Sequence, residues 1–343
     1  MLELMSELNP LATRLISICI PTYNRAEKVF ELVQEILTYK GDEIEVIVLD
    51  NCSNDQTHLL LDSIKDDRFV YIRNEQDIGG PFNHLKVLTY SSALYAFLCL
   101  DKDRLDYRNL PDLINRIKAL DEVTFGYCGL NLVKESDDVT YEQGYESLIN
   151  MAYLSNHPTG MFYKSKIFSN LDKLIQIFND GKKFGFYPDI LNGEMALTGK
   201  SKIINLPLFY TESREECAKV QSFTYNDKDI FFAPAQRFTE FYFYVDSVRQ
   251  LNITRDQLFN TIKKLYVKCL LASTFGYRSI MNDQEVCEHY GMSTRKVGFI
   301  EILKIEFYFS SRFICKKLPI SNFKKLQLYL FGHFRFLLNL IMS

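Results

Sequence analysis

Short apolar runs that break abruptly into polar loops dominate the first hundred residues of this 343-residue chain. Runs of this kind, bounded by turn residues, predict buried β-strands. The predicted strands are Leu15–Ile20, Ile44–Leu49, Phe69–Ile72 and Tyr95–Leu100. Segments with helical spacing of apolar residues lie between them, at about 26–38, 56–65 and 81–92. This alternation predicts an α/β fold with a doubly wound, mostly parallel sheet.

Each predicted strand is followed by polar side chains that could bind a nucleotide. The fourth strand ends in two carboxylates one residue apart, Asp101 and Asp103. Because ligands of open α/β sheets bind outside the carboxyl ends of the strands, we expect a site at this edge. Paired carboxylates suit a divalent cation, since Mg²⁺ takes one or two of them together with substrate phosphates. The other candidates are Thr22, Asn24, Asp50, Arg73, Asn74 and Asn83.

Charge and cysteine usage exclude several classes of protein. A net charge of −3 gives no sign of a nucleic-acid-binding surface. The eight cysteines include no C-x-x-C pair, which predicts reduced thiols instead of a disulfide framework or a zinc site. No G-x-G-x-x-G follows the first strand, which argues against a dinucleotide-dependent enzyme. A signal-peptide pattern and an uncharged apolar run of roughly 18 residues are both missing, so we expect a cytoplasmic location.

The C-terminal third has a different character from the rest of the chain. From about Phe231 onward the apolar spacing is helical, which predicts two domains, 1–230 and a helical region 231–343. The segment from Phe299 to Ser343 contains seven Lys or Arg residues and only two acidic residues, Glu301 and Glu306. These basic amphipathic helices pack either on the core, on a partner subunit in a homo-oligomer, or on the anionic inner face of a membrane.

Four motifs follow one another along the predicted α/β domain. They are IPTYNR at 20–25, DNCSND at 50–55, RN at 73–74 with Gly79 and Asn83 downstream, and DKD at 101–103. In this order and spacing they make the chain, from about Leu15 to Tyr210, resemble glycosyltransferase family 2, whose members have the GT-A fold. The resemblance implies a nucleoside-diphosphate sugar as donor and Mn²⁺ or Mg²⁺ as cofactor.

The resemblance also assigns roles to individual residues. It implies that the backbone of Pro21, Thr22 and Tyr23 cradles the nucleotide base and that Asp50 contacts this base. It implies that Asp101 contacts the ribose or the metal ion. Asp103 is implied as the more direct metal ligand. The remaining strand-end residues Asn24, Arg73, Asn74 and Asn83 are predicted to contact the nucleotide.

A general base must take the proton of the acceptor hydroxyl in an inverting transfer. The family has an acidic residue at the start of a helix, and Asp189 resembles it; Asp189 also suits a helix N-cap. Glu194 is the alternative base. Two positions depart from the family pattern: Lys102 stands where relatives often carry a third Asp, and Pro188 stands where they carry a Glu.

The leading hypothesis is therefore an inverting glycosyltransferase that acts on a saccharide or lipid-linked acceptor in surface polysaccharide synthesis. The two departures favour one alternative, a non-catalytic relative that serves as a binding or assembly subunit. A second alternative is a sugar-phosphate nucleotidylyltransferase. It is weakened because the loop after the first strand lacks the glycines that such an enzyme needs.

Overall fold

The computed structural model describes residues 14–170, 187–211, 232–289 and 292–342. The chain divides into two compact units, Met1–Glu212 and Ser213–Ser343. The predicted boundary between 1–230 and 231–343 falls among residues outside the described ranges, so it stays a prediction.

The first unit contains a nine-stranded sheet. Its strands are β1 Ile16–Thr22, β2 Ile44–Asp50, β3 Phe69–Arg73, β4 Tyr95–Leu98, β5 Arg104–Leu105, β6 Val123–Leu130, β7 Val139–Tyr141, β8 Met161–Lys164 and β9 Lys200–Tyr210. Its helices are α1 Ala26–Ile36, α2 Thr57–Asp62, α3 Gly80–Leu88, α4 Leu110–Lys118, α5 Tyr145–Met151 and α6 Tyr187–Met195.

The strand order is β3-β2-β1-β4-β8-β6-β9-β5, and β7 pairs with β9. The first four strands along the chain are mutually parallel, as the alternation of strands and helices predicts. Strand β8 is antiparallel to both β4 and β6, and β9 is parallel to β6. The predicted α/β fold with a mainly parallel central sheet is confirmed, with antiparallel strands added on the β8 side.

Burial explains why the central strands form where they do. Strands β1 and β2 are buried along their whole lengths, as expected for parallel strands covered by helices on both faces. Helix α1 covers them with Val29, Val33 and Ile36, which repeat at helical spacing and are fully buried. The register pairs Thr22 with Asp50, so these two strands end side by side.

Two short elements of the first unit follow β6. Within the polar segment 134–144, residues Val139–Tyr141 form β7 on the edge of β9. Two of the three residues of β7 are exposed, so it has no apolar alternation to reveal it. Helix α5 begins directly after Gly144, whose φ of 100° suits glycine.

The described residues of the second unit form helices joined by short irregular segments, which confirms the predicted C-terminal helical extension. Its α-helices are α7 Pro234–Gln250, α8 Arg255–Leu271, α9 Tyr277–Asn282, α10 Gln284–His289, α11 Phe299–Cys315 and α12 Asn322–Met342. Buried aromatic rings form its core: Tyr266 of α8 packs on Phe313 of α11 with ring centroids 4.0 Å apart. Phe241 of α7 lies edge-on to Tyr266 at 5.8 Å.

Candidate active site

The carboxyl ends of β1 and β4 bring together the first predicted site residues. Asp101 lies just beyond β4 and is almost fully buried. Its Oδ2 accepts a hydrogen bond of 2.8 Å from Thr22 Oγ1. Its Oδ1 forms an ion pair of 2.5 Å with Arg25 Nη1. Both carboxylate oxygens of Asp101 are therefore engaged by side chains that follow or end β1.

Asp103 lies in a different environment from Asp101. Its Oδ2 accepts a hydrogen bond from Thr159 Oγ1, and His157 Nδ1 lies 3.6 Å from the same oxygen. Its Oδ1 is buried and has no hydrogen-bond partner within the described part of the chain. Burial raises the pKa of Asp103 to about 6, although the Thr159 hydrogen bond and the charge of Lys102 act in the opposite direction.

The unpartnered oxygen of Asp103 tests whether this site suits a metal ion. A buried polar atom without a partner is costly, and a hard cation is a suitable partner for a carboxylate oxygen. Across the described ranges, no group of three or more His, Cys, Asp or Glu side chains could hold a metal ion by itself. Mg²⁺ is commonly held by one or two carboxylates together with substrate phosphates. The residues at Asp103 fit a divalent cation held jointly with a diphosphate.

Asp50 is completely buried at the end of β2, and its carboxylate is fully hydrogen-bonded. Its Oδ1 accepts from the backbone N–H of Ser53 at 2.8 Å and from the Ser53 hydroxyl at 2.5 Å. Its Oδ2 accepts from Tyr71 Oη at 2.9 Å and lies 3.3 Å from Arg73 Nε. Burial and this hydrogen bond raise the pKa of Tyr71 far above its usual value. A contact between Asp50 and a nucleotide base stays a prediction.

Asn74 and Asn83 lie in a buried network of side-chain amides. Asn74 Nδ2 donates to Asn83 Oδ1 at 2.8 Å and to Asn51 Oδ1 at 3.2 Å. Asn83 Nδ2 donates to the backbone carbonyl of Leu49 at 2.9 Å, and Lys86 Nζ donates to Asn74 Oδ1 at 2.7 Å. Since these amides are paired inside the protein, the network fixes α3 against the ends of β2 and β3. Donor contacts by Asn74 and Asn83 stay predictions.

The loop after β1 is tied to the turn after β2. Asn24 has a φ of 53°, in the left-handed region that asparagine tolerates better than most residues. Its backbone N–H donates to Ser53 Oγ at 2.8 Å, and its Oδ1 accepts from the backbone N–H of Asn54 at 2.9 Å. Pro21 is buried in β1, and Tyr23 is partly exposed in the loop. These hydrogen bonds hold the loop after β1 and the turn after β2 together on one side of the site.

Asp189 lies in the first turn of α6 and is almost fully buried. Its carboxylate accepts hydrogen bonds from the backbone N–H of Ser155 at 2.9 and 3.1 Å, and from the Ser155 hydroxyl at 2.9 Å. Ser155 has a φ of 55°, so Asp189 stabilises a left-handed turn just before His157. Asp189 is thus connected, through the segment 155–159, to the surroundings of Asp103. Its role as general base stays a prediction.

Residues 17–182 match the family model described as glycosyl transferase family 2. This segment belongs to glycosyltransferase family 2. The resemblance found in the four sequence motifs is thereby confirmed, and the family 2 segment includes the ends of β1, β2, β3 and β4 with both carboxylates of the DKD motif.

Two curated relatives match part of this chain. Abequosyltransferase RfbV of Salmonella typhimurium is 32% identical over 96 residues, which cover 26% of this chain and 29% of that protein. UDP-Glc:alpha-D-GlcNAc-diphosphoundecaprenol beta-1,3-glucosyltransferase WfaP of Escherichia coli is 30% identical over 124 residues, which cover 35% of this chain and 48% of that protein. The chain spans less than half the length of the curated relatives it matches.

A solved structure shares the fold over most of the chain. The crystal structure of S. aureus TarS 1–349 in complex with UDP-GlcNAc superposes with a TM-score of 0.52 and 12% sequence identity. The match covers 87% of this chain and 91% of that one. At this identity the likeness shows a common fold, and it agrees with the GT-A architecture expected from the motifs.

Sequence reasoning missed three residues that the structure places in the family 2 site. Arg25 is part of the IPTYNR motif, and its ion pair with Asp101 has no sequence signal of its own. Thr159 belongs to a His-Pro-Thr-Gly turn, and only the fold brings it to Asp103. His84 follows Asn83 in α3 and has no motif signal.

Two histidines near the carboxylates are neutral at neutral pH. Burial, together with the charges of His157, Arg25 and Lys102, lowers the pKa of His84 to about 3. Burial, together with the charge of Lys102, lowers the pKa of His157 to about 4. Because His157 Nδ1 accepts a hydrogen bond of 3.2 Å from the backbone N–H of Thr159, its proton lies on Nε2. The contact between His157 and Asp103 is therefore not an ion pair at neutral pH.

Proposed function

We propose that this protein is an inverting glycosyltransferase. It moves a sugar from a nucleoside-diphosphate sugar to a saccharide or lipid-linked acceptor in surface polysaccharide synthesis, at the cytoplasmic face of the membrane. The observation that carries the proposal is Oδ1 of Asp103, which is buried and has no hydrogen-bond partner among the residues that the structure describes. It lies at the carboxyl ends of parallel strands in the family 2 segment. The names of RfbV and WfaP, a sugar transferase and a transferase to a diphosphoundecaprenol-linked sugar, support the acceptor class.

The two carboxylates of the DKD motif take different parts in this proposal. Asp103 would hold Mn²⁺ or Mg²⁺ through Oδ1, because that oxygen has no hydrogen-bond partner among the described residues. A bound metal ion neutralises charge that develops on the leaving diphosphate. Asp101, paired with Arg25 and Thr22, orients the Arg25 guanidinium at the same edge. Thr159 fixes the second oxygen of Asp103 and so determines the direction in which Oδ1 points.

The acceptor side rests on Asp189. In our proposal its carboxylate takes the proton of the acceptor hydroxyl as the sugar is transferred. The hydrogen bonds from Ser155 fix the rotamer of Asp189.

Nucleotide binding with and without a metal ion tests the donor half of the proposal. We would titrate UDP, GDP, dTDP and CDP into the full chain with Mg²⁺, with Mn²⁺ or with EDTA. One nucleotide should bind more tightly with the metal ion in the wild type and in Asp112→Asn, a control at an exposed carboxylate of α4. In Asp103→Asn the metal effect should disappear. Equal affinity in EDTA and in metal would contradict the role of Asp103.

Turnover then separates an enzyme from a binding subunit. Sugar transfer or slow hydrolysis of the matching nucleotide sugar supports the proposal, and the anomeric configuration of the product reports inversion. Tight nucleotide binding with no transfer and no hydrolysis would instead identify a non-catalytic member of the family.

A further inference from the structure

Helix α12 carries apolar side chains on two opposite faces. One face packs inside the second unit through Leu328, Gly332 and Phe336, which are buried. The approach to α8 is close: a Cβ at position 332 would lie 2.3 Å from Tyr266 Cε1. This face accounts for the attachment of α12 to its unit and leaves the opposite face open.

The open face is a continuous apolar row, which we call the α12 stripe. Its members, from 40% to 82% exposed, are Phe323, Leu326, Leu330, Phe334, Leu337 and Ile341. They recur at intervals of three or four residues, so they project from one side of the helix along about 27 Å of its length. Single exposed apolar residues are common on proteins, but an unbroken row of this length marks an interaction surface.

The charges around the stripe are mainly basic, and one of the cations, Lys324, pairs with the exposed carboxylate of Asp256 at 2.7 Å. No acidic residue follows Glu306 in the sequence. Glu306 itself is buried and accepts a hydrogen bond of 2.6 Å from Ser310, so it adds little negative charge to the surface. The cations of this segment are Arg312, Lys316, Lys317, Lys324, Lys325 and Arg335. Arg335 directly follows Phe334 of the stripe and is exposed.

We propose that the α12 stripe docks on an anionic lipid surface, with α12 lying in the plane of the headgroups. A helix with one long apolar face and mainly basic charges beside it suits the boundary between acyl chains and acidic headgroups. A second copy of the same chain would bring like charges together around the apolar contact, so it suits the surface less well. Within the described ranges no helix is both long and apolar enough to cross a bilayer.

Helix α11 provides a second exposed row in the same unit. Ile300, Leu303, Phe307 and Ile314 are each at least 44% exposed and share one side of that helix. Basic residues adjoin this row as well, with Lys304 next to Leu303. The same combination of exposed apolar and basic side chains on two helices is what a lipid surface requires, and this inference does not depend on glycosyl transfer.

The sequence offers a clean spectroscopic probe because it contains no tryptophan. Phe334→Trp places a single tryptophan in the stripe with little change in shape. Leu59→Trp is the matched control, since Leu59 of α2 is 62% exposed and lies in the other unit. We expect the emission of Phe334→Trp to shift to the blue with phosphatidylglycerol-containing vesicles, and less with pure phosphatidylcholine. Emission of Leu59→Trp should not change, and added salt should weaken the shift.

A second variant measures the contribution of the stripe. Adding Leu330→Glu to Phe334→Trp should weaken vesicle binding by about tenfold or more. The substitution places a charge where the proposed docking would bury the Leu330 side chain in the lipid. Circular dichroism of the full chain verifies that the helices persist. Emission that stays unchanged with anionic vesicles overturns the proposal. It is also overturned by a blue shift that needs no vesicles, grows with protein concentration and accompanies a dimer in sedimentation, since the stripe would then bind a second copy.

Discussion

The Thr159 hydroxyl connects the turn before β8 to the carboxylate on which the proposed metal site depends. It donates to Asp103 Oδ2 and accepts a hydrogen bond of 3.0 Å from the backbone N–H of Leu100. Thr159 is completely buried, so water cannot replace either bond. Thr159→Val keeps the shape of the side chain and removes both interactions at once.

The cost of Thr159→Val follows from the two groups that it leaves unpaired. Each buried polar group that loses its partner costs about 1–3 kcal/mol, which gives roughly 2–6 kcal/mol for the two groups. Thr159→Ser is the matched variant, because it keeps the hydroxyl and loses only a methyl group worth about 1 kcal/mol. We also expect a weaker metal effect on nucleotide binding in Thr159→Val, since Asp103 loses the bond that fixes its orientation.

Hydrogen exchange measured by mass spectrometry is the most direct assay, because it reports local stability in a chain with two units. The peptide containing Leu100 and Asp103 should exchange faster in Thr159→Val than in Thr159→Ser, while peptides of the second unit stay unchanged. Denaturant unfolding provides the total loss. Val and Ser variants that agree within about 0.5 kcal/mol, and exchange alike at Leu100, would refute the reasoning.

Three further substitutions test other parts of the molecule. Asp189→Asn should lower turnover about a hundredfold or more and leave the affinity for the donor almost unchanged, because the proposed base acts on the acceptor. Turnover equal to that of the wild type would show that another residue is the base. His84 has a pKa of about 3 in the folded protein, below its value of about 6.5 in the unfolded chain. Its contribution to stability is therefore fully present above pH 6.5 and is lost as the pH falls towards 3. Denaturant titrations at pH 7 and pH 5 measure this contribution. The wild type should lose up to about 2 kcal/mol of unfolding free energy between the two pH values through His84, and His84→Gln should lose less. Equal losses in the two proteins would contradict the pKa assigned to His84. Gly332→Ala should lower the local stability of α12 by about 1–3 kcal/mol, because the added Cβ would contact Tyr266. Gly298→Ala is the control and should leave α12 unchanged, because the space around its Cβ is open. Hydrogen exchange of the α12 peptides distinguishes the two variants.

The central sheet could be predicted from the sequence because its strands are short, mostly apolar and separated by amphipathic helices. The predicted strand Ile44–Leu49 corresponds to β2, Ile44–Asp50. The antiparallel strands of the sheet are harder to predict from the sequence. Strand β5 has two residues, Arg104 and Leu105, and is held by pairing with β9, a contact that no local pattern encodes.

The gathering of the strand-end residues was predictable, but their hydrogen-bond partners were not. Parallel strands that end at one edge must bring Thr22, Asp50 and Asp101 near one another. The partners come from distant segments: Thr159 reaches Asp103, and Tyr71 reaches Asp50. A motif records which side chains stand at an edge, whereas the fold decides which of their oxygens remain available to a ligand.

The DKD motif illustrates this difference most clearly, because its two carboxylates look equivalent in the sequence. Arg25 forms an ion pair with one oxygen of Asp101, and Thr22 donates a hydrogen bond to the other. Asp103 instead has neutral neighbours in Thr159 and His157, and its pKa of about 6 reflects burial without a full counter-charge. A divalent cation would supply that charge at Asp103, while at Asp101 it would have to displace Arg25. We therefore infer that Asp103 is the metal ligand and that Asp101 positions Arg25 and Thr22.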